Sequence, residues 1–194
     1  MGNEDIRTLI ADLVACVGPA DAREAEVQAS ILSWIGSGAE IFRVAPPATP
    51  PRHLVAYFAL VDSTRRLVLL GDHLKSGLWL PSGGHVEVGE DPRDTVVREA
   101  LEELGIRAVF HERLGAGRPF FLTATPTAGP DTHVDVSLWF VLAGDQDAPL
   151  DPDPREYRGV RWFPLDGLDG WPEERLDPEM GRFARKVTAA LDGG

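Results

Sequence analysis

A chain of 194 residues, 43% of them hydrophobic and 26% charged, is long enough for one domain with a full core and has ordinary globular composition. Its formal net charge of −12 excludes a broad surface for nucleic acid polymers or anionic membranes, since either needs clustered Lys and Arg, and a polyanionic substrate is repelled unless metals or local bases compensate. The single Cys16 cannot make an internal disulfide, no basic stretch precedes an apolar core at the N-terminus, and no apolar run approaches the ~20 residues of a membrane span, so a cytoplasmic location is expected.

Residues 1–50 read as a helical extension. Ile6, Leu9, Ile10, Leu13, Val14 and Val17 follow helical spacing, and a second helix runs from about Ala22 to Ile35 before Gly36-Ser37-Gly38 ends it. A short strand is expected at 41–44. The run Pro46-Pro47-Ala48-Thr49-Pro50-Pro51 is stiff, cannot continue regular structure, and marks the boundary to a second part, residues 51–194. The extension could pack on its own chain or form a homodimer interface.

From His53 the pattern changes to short β-rich segments at 54–61, 67–70 and 78–80, with Asp62-Ser63-Thr64 turning between the first two. A Gly83-Gly84 loop then feeds a helix. Asp91 can cap its first amides, Pro92 suits its first position, Asp94 sits where a capping-box acid would reach back, and Gly105 is placed to close it after Leu104. At ~100° per residue, Val97, Ala100, Leu101 and Leu104 gather on one side for the core, and Glu99, Glu102 and Glu103 on roughly the opposite one. Further strands are expected at 108–112, 120–125, 134–143 and 160–163, with a last helix over 178–191. This order predicts the α/β class, a mixed sheet between helices.

The acidic helix face works against helix stability. Glu102 and Glu103 lie in the last turn, where the macrodipole is negative and an acid costs ~0.3–1 kcal/mol, and Glu99 and Glu103 repel as an i,i+4 pair. A divalent cation reverses both effects, and hard oxygen ligands in this number are what Mg²⁺ or Mn²⁺ prefer.

The segment has a fixed order: Gly84, five residues, Glu90, seven residues, Arg98-Glu99, two residues, Glu102-Glu103, one residue, Gly105, then apolar Ile106. This order resembles the Nudix box, and seven matches at fixed spacing arise by chance on the order of 10⁻⁶ in a chain of this length. Two departures, Ala100 for a bulkier aliphatic and Ser82 where Pro is frequent, touch no metal ligand. The resemblance implies a Nudix hydrolase domain over 51–194 with an α/β/α sandwich. It also implies metal ligation by Glu99, Glu102, Glu103 and the Gly83 carbonyl, and an Arg98 pairing with Glu90. Many Nudix enzymes carry a loop glutamate that is a base or an extra ligand where this chain has Glu156, so Glu99 or Glu156 is the expected general base.

His73, Lys75 and Arg118 are candidates for phosphate contacts, and Trp79, Phe120 or Trp139 for stacking on a base. His85, His133 and Asp135 suggest a metal pair only on paper. The expected activity is Mg²⁺- or Mn²⁺-dependent cleavage of a diphosphate bond in a small nucleotide-type substrate. A nucleoside triphosphate or other small nucleotide derivative is favoured, because downstream markers of ADP-ribose, dinucleoside polyphosphate and NADH enzymes are missing. The alternative is a Nudix-fold module that senses a nucleotide without cleaving it, which would usually have lost a box acid. Isoprenoid diphosphate isomerisation needs a cysteine near the substrate, and Cys16 precedes the whole domain.

Overall fold

The computed structural model describes residues 3–46, 49–127, 132–167 and 171–193. In chain order the elements are α1 Asn3–Ala15, α2 Ala22–Gly36, β1 Arg52–Asp62, β2 Leu67–His73, β3 Trp79–Leu80, β4 Ser82–His85, α3 Pro92–Leu104, β5 Phe121–Pro126, β6 Val134–Ala143, β7 Tyr157–Pro164, a 3₁₀ turn at Glu173–Arg175, and α4 Met180–Asp192. The seven strands belong to one sheet with the order β3-β2-β1-β6-β5, β4 pairing with β1 and β7 with β2. A mixed sheet with four α-helices is the α/β architecture expected. No helix among the described residues is long and apolar enough to cross a membrane.

Two compact units make up the chain. The first comprises Met1–Tyr57, Gly83–Val96 and Arg118–Phe140. In it α1 buries Ile6, Ile10, Leu13 and Val14, an i, i+4, i+7, i+8 stripe. Asp21 caps α2 by accepting the Glu24 amide at 2.8 Å. Glu24 itself is fully buried. Its carboxylate accepts the Ala20 amide at 2.7 Å and the Leu122 amide of β5 at 3.2 Å, so a helix side chain takes a donor that an edge strand would otherwise leave open. The extension thus packs within its own chain. Between β5 and β6 the register runs from Phe121↔Trp139 to Pro126↔Val134.

The second unit comprises Phe58–Ser82, Val97–Gly117 and Val141–Gly194. Here β2 and β7 pair antiparallel from Leu67↔Pro164 to His73↔Tyr157, with an irregularity between Gly71 and His73. Gly71 is required by what crosses it: a Cβ there would lie 2.3 Å from the Tyr157 ring. Arg65 gathers the carboxylates of Asp62, Asp145 and Asp147 beside the β1–β2 turn. Helix α4 buries Met180, Phe183, Ala184 and Val187.

Four local expectations need correction. Residues 41–44 form no strand, because the Glu40 carboxylate accepts the amides of Ile41 and Phe42 at 2.9 and 3.0 Å and competes with ladder pairing. Residues 108–112 contribute only a bridge from Phe110 to Leu142, since His111 Nδ1 accepts the amides of Arg113 and Leu114 and turns the chain. Gly83-Gly84 is part of strand β4, not a free loop. In α3, Val97 and Leu101 are 46% and 65% exposed, while Val96, Ala100, Glu103 and Leu104 are buried. The buried stripe includes a glutamate, so the helix is rotated from the face its apolar residues alone suggest. Cys16 follows α1 and is exposed. Pro47 and Ala48 of the proline run lie outside the described residues.

Candidate functional site

The start and stop of α3 are local. Asp91 Oδ1 accepts the Arg93 amide at 2.9 Å, and the Arg93 guanidinium forks back onto the same carboxylate. Burial opposes the charge on Asp91, but these Arg93 bonds outweigh it and hold the carboxyl below its usual range. At the other end Gly105 takes φ +66°, and the Ile106 amide reaches back to the Ala100 carbonyl at 3.1 Å.

The last carbonyls of α3 are closed by a distant loop. The amides of Asp151 and Asp153 donate to the carbonyls of Leu104 and Glu103 at 3.0 and 2.9 Å, and a Cβ on Gly105 would come within 2.9 Å of Asp151 Cβ. The chain then turns through Asp153, whose carbonyl accepts the amides of Glu156 and Tyr157 at 3.1 and 3.0 Å. The Leu74 amide donates to the Glu156 carbonyl at 2.8 Å. Satisfying the helix C-terminus therefore seats the Glu156 loop on the helix that carries the acids.

Between them is a cavity of about 210 Å³ lined by Glu99, Glu102, Glu103, Asp153, Arg155 and Glu156. Arg155 forks onto Asp153 with contacts of 2.6 to 3.0 Å, and this guanidinium holds the Asp153 carboxyl below its ordinary value. A larger cavity of about 550 Å³, lined by Leu165, Gly167 and residues of α4, gathers no comparable set of acids.

Glu103 is only 7% exposed, and Tyr157 explains how its carboxylate tolerates that. The Tyr157 hydroxyl donates to Glu103 Oε2 at 2.8 Å and lies 2.9 Å from Ser82 Oγ. Burial first, and the Glu103 charge second, push this phenol well above its usual range, so it stays a proton donor. Glu156 is half exposed, with His73 Nε2 3.5 Å from its carboxylate. The Ser76 amide donates to His73 Nδ1 at 3.1 Å, which leaves the proton of the neutral ring on Nε2, facing Glu156. Burial lowers the His73 pKa, and Glu156 opposes the shift.

Of the residues singled out from the sequence, Glu99, Glu102, Glu103 and Glu156 meet around this cavity. Arg98 donates to Glu99 at 2.5 Å and lies 3.8 Å from Glu102. Glu90 accepts from Thr95 Oγ1 at 2.7 Å and from the Glu87 amide at 2.9 Å, which closes the loop before α3. Gly83 has φ +146°, and a Cβ there would lie 2.2 Å from the Ala56 carbonyl oxygen, so only glycine lets β4 approach β1 this closely. Trp139 is a core side chain, 1% exposed with its indole N–H on Thr123, and not a stacking platform. Trp79 is partly exposed, with Arg161 over its ring. Sequence reasoning missed Asp153 and Tyr157, and named Ser82 only as a departure from the box pattern. The first two lie within three residues of Glu156, which it did single out, whereas the part Ser82 plays becomes visible only through its contact with Tyr157, far along the chain.

A family model described as NUDIX domain matches residues 51–187. Among curated proteins the chain is similar to the m7GpppN-mRNA hydrolase NUDT17 of Xenopus laevis, 30% identical over an alignment 151 residues long that covers 72% of this chain and 46% of that protein. It is also similar to Nucleoside diphosphate-linked moiety X motif 6 of Mus musculus, 34% identical over 83 residues, 42% of this chain and 25% of that protein. The chain thus spans less than half the length of these curated relatives. Among solved structures it resembles a C. elegans Ap4A hydrolase binary complex, with TM-score 0.55, 20% identity and coverage of 73% of this chain and 98% of that one. It likewise resembles the MutT protein from Methanosarcina mazei Go1, with TM-score 0.53, 18% identity and coverage of 70% and 92%. At these identities the likeness is one of fold.

Proposed function

Because this chain belongs to the Nudix family, we propose that it is a divalent-metal-dependent pyrophosphohydrolase that cleaves a diphosphate bond in a nucleoside diphosphate linked to another group. The observation that carries the reading is the convergence of Glu99, Glu102, Glu103, Asp153 and Glu156 on one cavity. Among the described residues that line it, five carboxylates face the single cation of Arg155, an electrostatic balance that favours cations, and an oxygen-only donor set fits Mg²⁺ or Mn²⁺. Glu99, Glu102 and Glu103 would hold the metal. Bound there, the ion supplies positive charge to the phosphoryl oxygens and acidifies a nucleophilic water.

The chain's own groups divide the remaining work. Arg98 holds the Glu99 carboxylate, and Tyr157 holds that of Glu103, so each presents a fixed oxygen to the cavity. Glu156, more exposed and next to a neutral imidazole N–H, can take a proton from water and is the general base of this reading, with Glu99 the other candidate. Relatives whose names specify an mRNA cap and a nucleoside diphosphate-linked moiety favour a nucleotide derivative as substrate. A nucleoside triphosphate remains within that class.

The test is a panel of nucleotides with Mg²⁺ and Mn²⁺ in ¹⁸O-water. Turnover with label in a phosphate-bearing product supports substitution at phosphorus. Tight nucleotide binding without turnover of any compound would replace this reading by that of a sensor module.

A further inference from the structure

Away from the carboxylate cavity, the first compact unit gathers His53 of β1, His85 of β4, His133 just before β6, and Asp135 within it. One ligand atom from each lies within 4.8 Å of all the others. We propose that these four residues form a structural centre for a single borderline transition ion of the Zn²⁺ type, chemically distinct from the oxygen-only site.

Three observations carry this inference. First, the two distances to Asp135 match. Bonds of ~2.0–2.1 Å to a tetrahedral ion put ligand atoms ~3.3–3.4 Å apart, and Asp135 Oδ1 stands 3.5 Å from His53 Nε2 and 3.2 Å from His133 Nε2. Second, the ring nitrogens are oriented from behind. His53 Nδ1 lies 2.8 Å from the Pro50 carbonyl, which can only accept, so Nδ1 carries the proton and Nε2 presents a lone pair. His133 Nδ1 lies 3.1 Å from Thr127 Oγ1, an outer partner of the kind that holds a ligating imidazole in place.

Third, two polar atoms at the centre of the group are buried without a hydrogen bond. His53 is 0% exposed, and its Nε2 and Asp135 Oδ1 are buried atoms with no hydrogen-bond partner. A lone pair facing a carboxylate oxygen is repulsive unless a cation lies between. The His53 ring is stacked on that of His133 at 4.8 Å and tilted to that of His85 at 4.9 Å, so the three imidazoles converge on one point of the sheet. Three imidazoles and one carboxylate suit Zn²⁺ rather than Mg²⁺. With all four positions filled by protein, the centre is closed and structural, and it ties β4, where Gly83 and Gly84 lie, to β1 and β6.

The test uses the full chain without a histidine tag, freed of metal by a chelator and then titrated with Co²⁺ and Zn²⁺. Intense visible bands of tetrahedral coordination that saturate at one Co²⁺ per chain, are displaced by Zn²⁺ and are accompanied by a melting temperature several degrees higher are the expected result. Asp135→Asn and His133→Gln, both at partly exposed positions, should each abolish these signals, whereas Glu103→Gln should keep them. A merely octahedral Co²⁺ spectrum, or tetrahedral bands that survive both substitutions, would overturn the proposal. Should either variant fail to fold, imidazole ¹⁵N shifts of the wild-type chain decide the matter. They must move for three histidines on adding one equivalent of Zn²⁺, and unchanged shifts refute the site. Because these readouts are metal content, spectrum and stability, they stand or fall independently of pyrophosphohydrolase activity.

Discussion

Replacing Tyr157 by Phe removes one oxygen and nothing else from the wall of the acidic cavity. That oxygen is the hydroxyl 2.8 Å from the Glu103 carboxylate and 2.9 Å from Ser82 Oγ. A hydrogen bond to a buried charged group contributes ~1.5–3 kcal/mol, and at ~2–4 °C per kcal/mol for a chain of this size the apo protein should melt roughly 3–12 °C lower. The carboxylate also loses the donor that orients it, and outer partners of metal ligands are typically worth ~10–100-fold in metal affinity or activity. The informative assay is hydrolysis against Mg²⁺ concentration, with melting curves in parallel. The Mg²⁺ concentration for half-activation should rise by at least ~10-fold, and saturating metal should recover part of kcat. Combining the change with Glu103→Gln in a double-mutant cycle should show strong coupling. Wild-type metal dependence in Tyr157→Phe, or additive effects in the cycle, would refute the role given to this phenol.

Glu103→Gln should abolish most activity, by ~10²-fold or more, without unfolding the chain, and Mg²⁺ should no longer raise its melting temperature; near-normal turnover would remove Glu103 from the ligand set. Glu156→Gln should lower kcat by ~10²-fold if it is the base. Retention of the acidic limb of the pH–rate profile in that variant would hand the role to Glu99. Gly71→Ala puts a methyl 2.3 Å from the Tyr157 ring, so it should cost ~1–3 kcal/mol by melting and impair metal activation together with stability. Asp177 caps the segment entering α4 by accepting the Glu179 amide at 2.8 Å, and burial raises its carboxyl to about 6 from 3.8. A raised folded value makes the native state bind the extra proton, so its stabilising contribution is full below 3.8 and lost as the pH rises through about 6. Asp177→Asn, which keeps the cap acceptor, should therefore raise the melting temperature at pH 7.5 and leave it nearly unchanged at pH 3.5.

What the sequence revealed depended on whether the signal was local. The ends of α3 follow from Asp91, Pro92 and Gly105, residues that act on their own turn, and both appear where expected. The rotation of α3 was not legible, because Glu103 counts as polar in any periodicity and the Tyr157 hydroxyl that helps make its burial tolerable is 54 residues away. Residues 41–44 and 108–112 have the composition of strands, but the side chains of Glu40 and His111 take up nearby amides and divert the backbone. The four acids at 99, 102, 103 and 156 could be named from the sequence. Their company of Asp153, Arg155 and Tyr157 follows from a loop docking on a helix end, which no window of neighbouring residues contains. His53 was overlooked as a companion of His85, His133 and Asp135 because it reads as the first polar residue of an apolar strand.

The docking of residues 151–156 on the end of α3 also limits how such a chain can be altered. Two amides of this loop stand in for the solvent that usually finishes a helix, at the Glu103 and Leu104 carbonyls. An insertion after Asp151 would therefore slide Glu156 out of step with the acids by whole residues, with no slack to absorb it. An insertion at 146–149, between the end of β6 and the first of those amides, leaves both bonds and the spacing to Glu156 intact. Length variation in this part of the chain should thus be permitted on one side of Asp151 and forbidden on the other, and grafts intended to change which substrate is accepted belong on the permitted side.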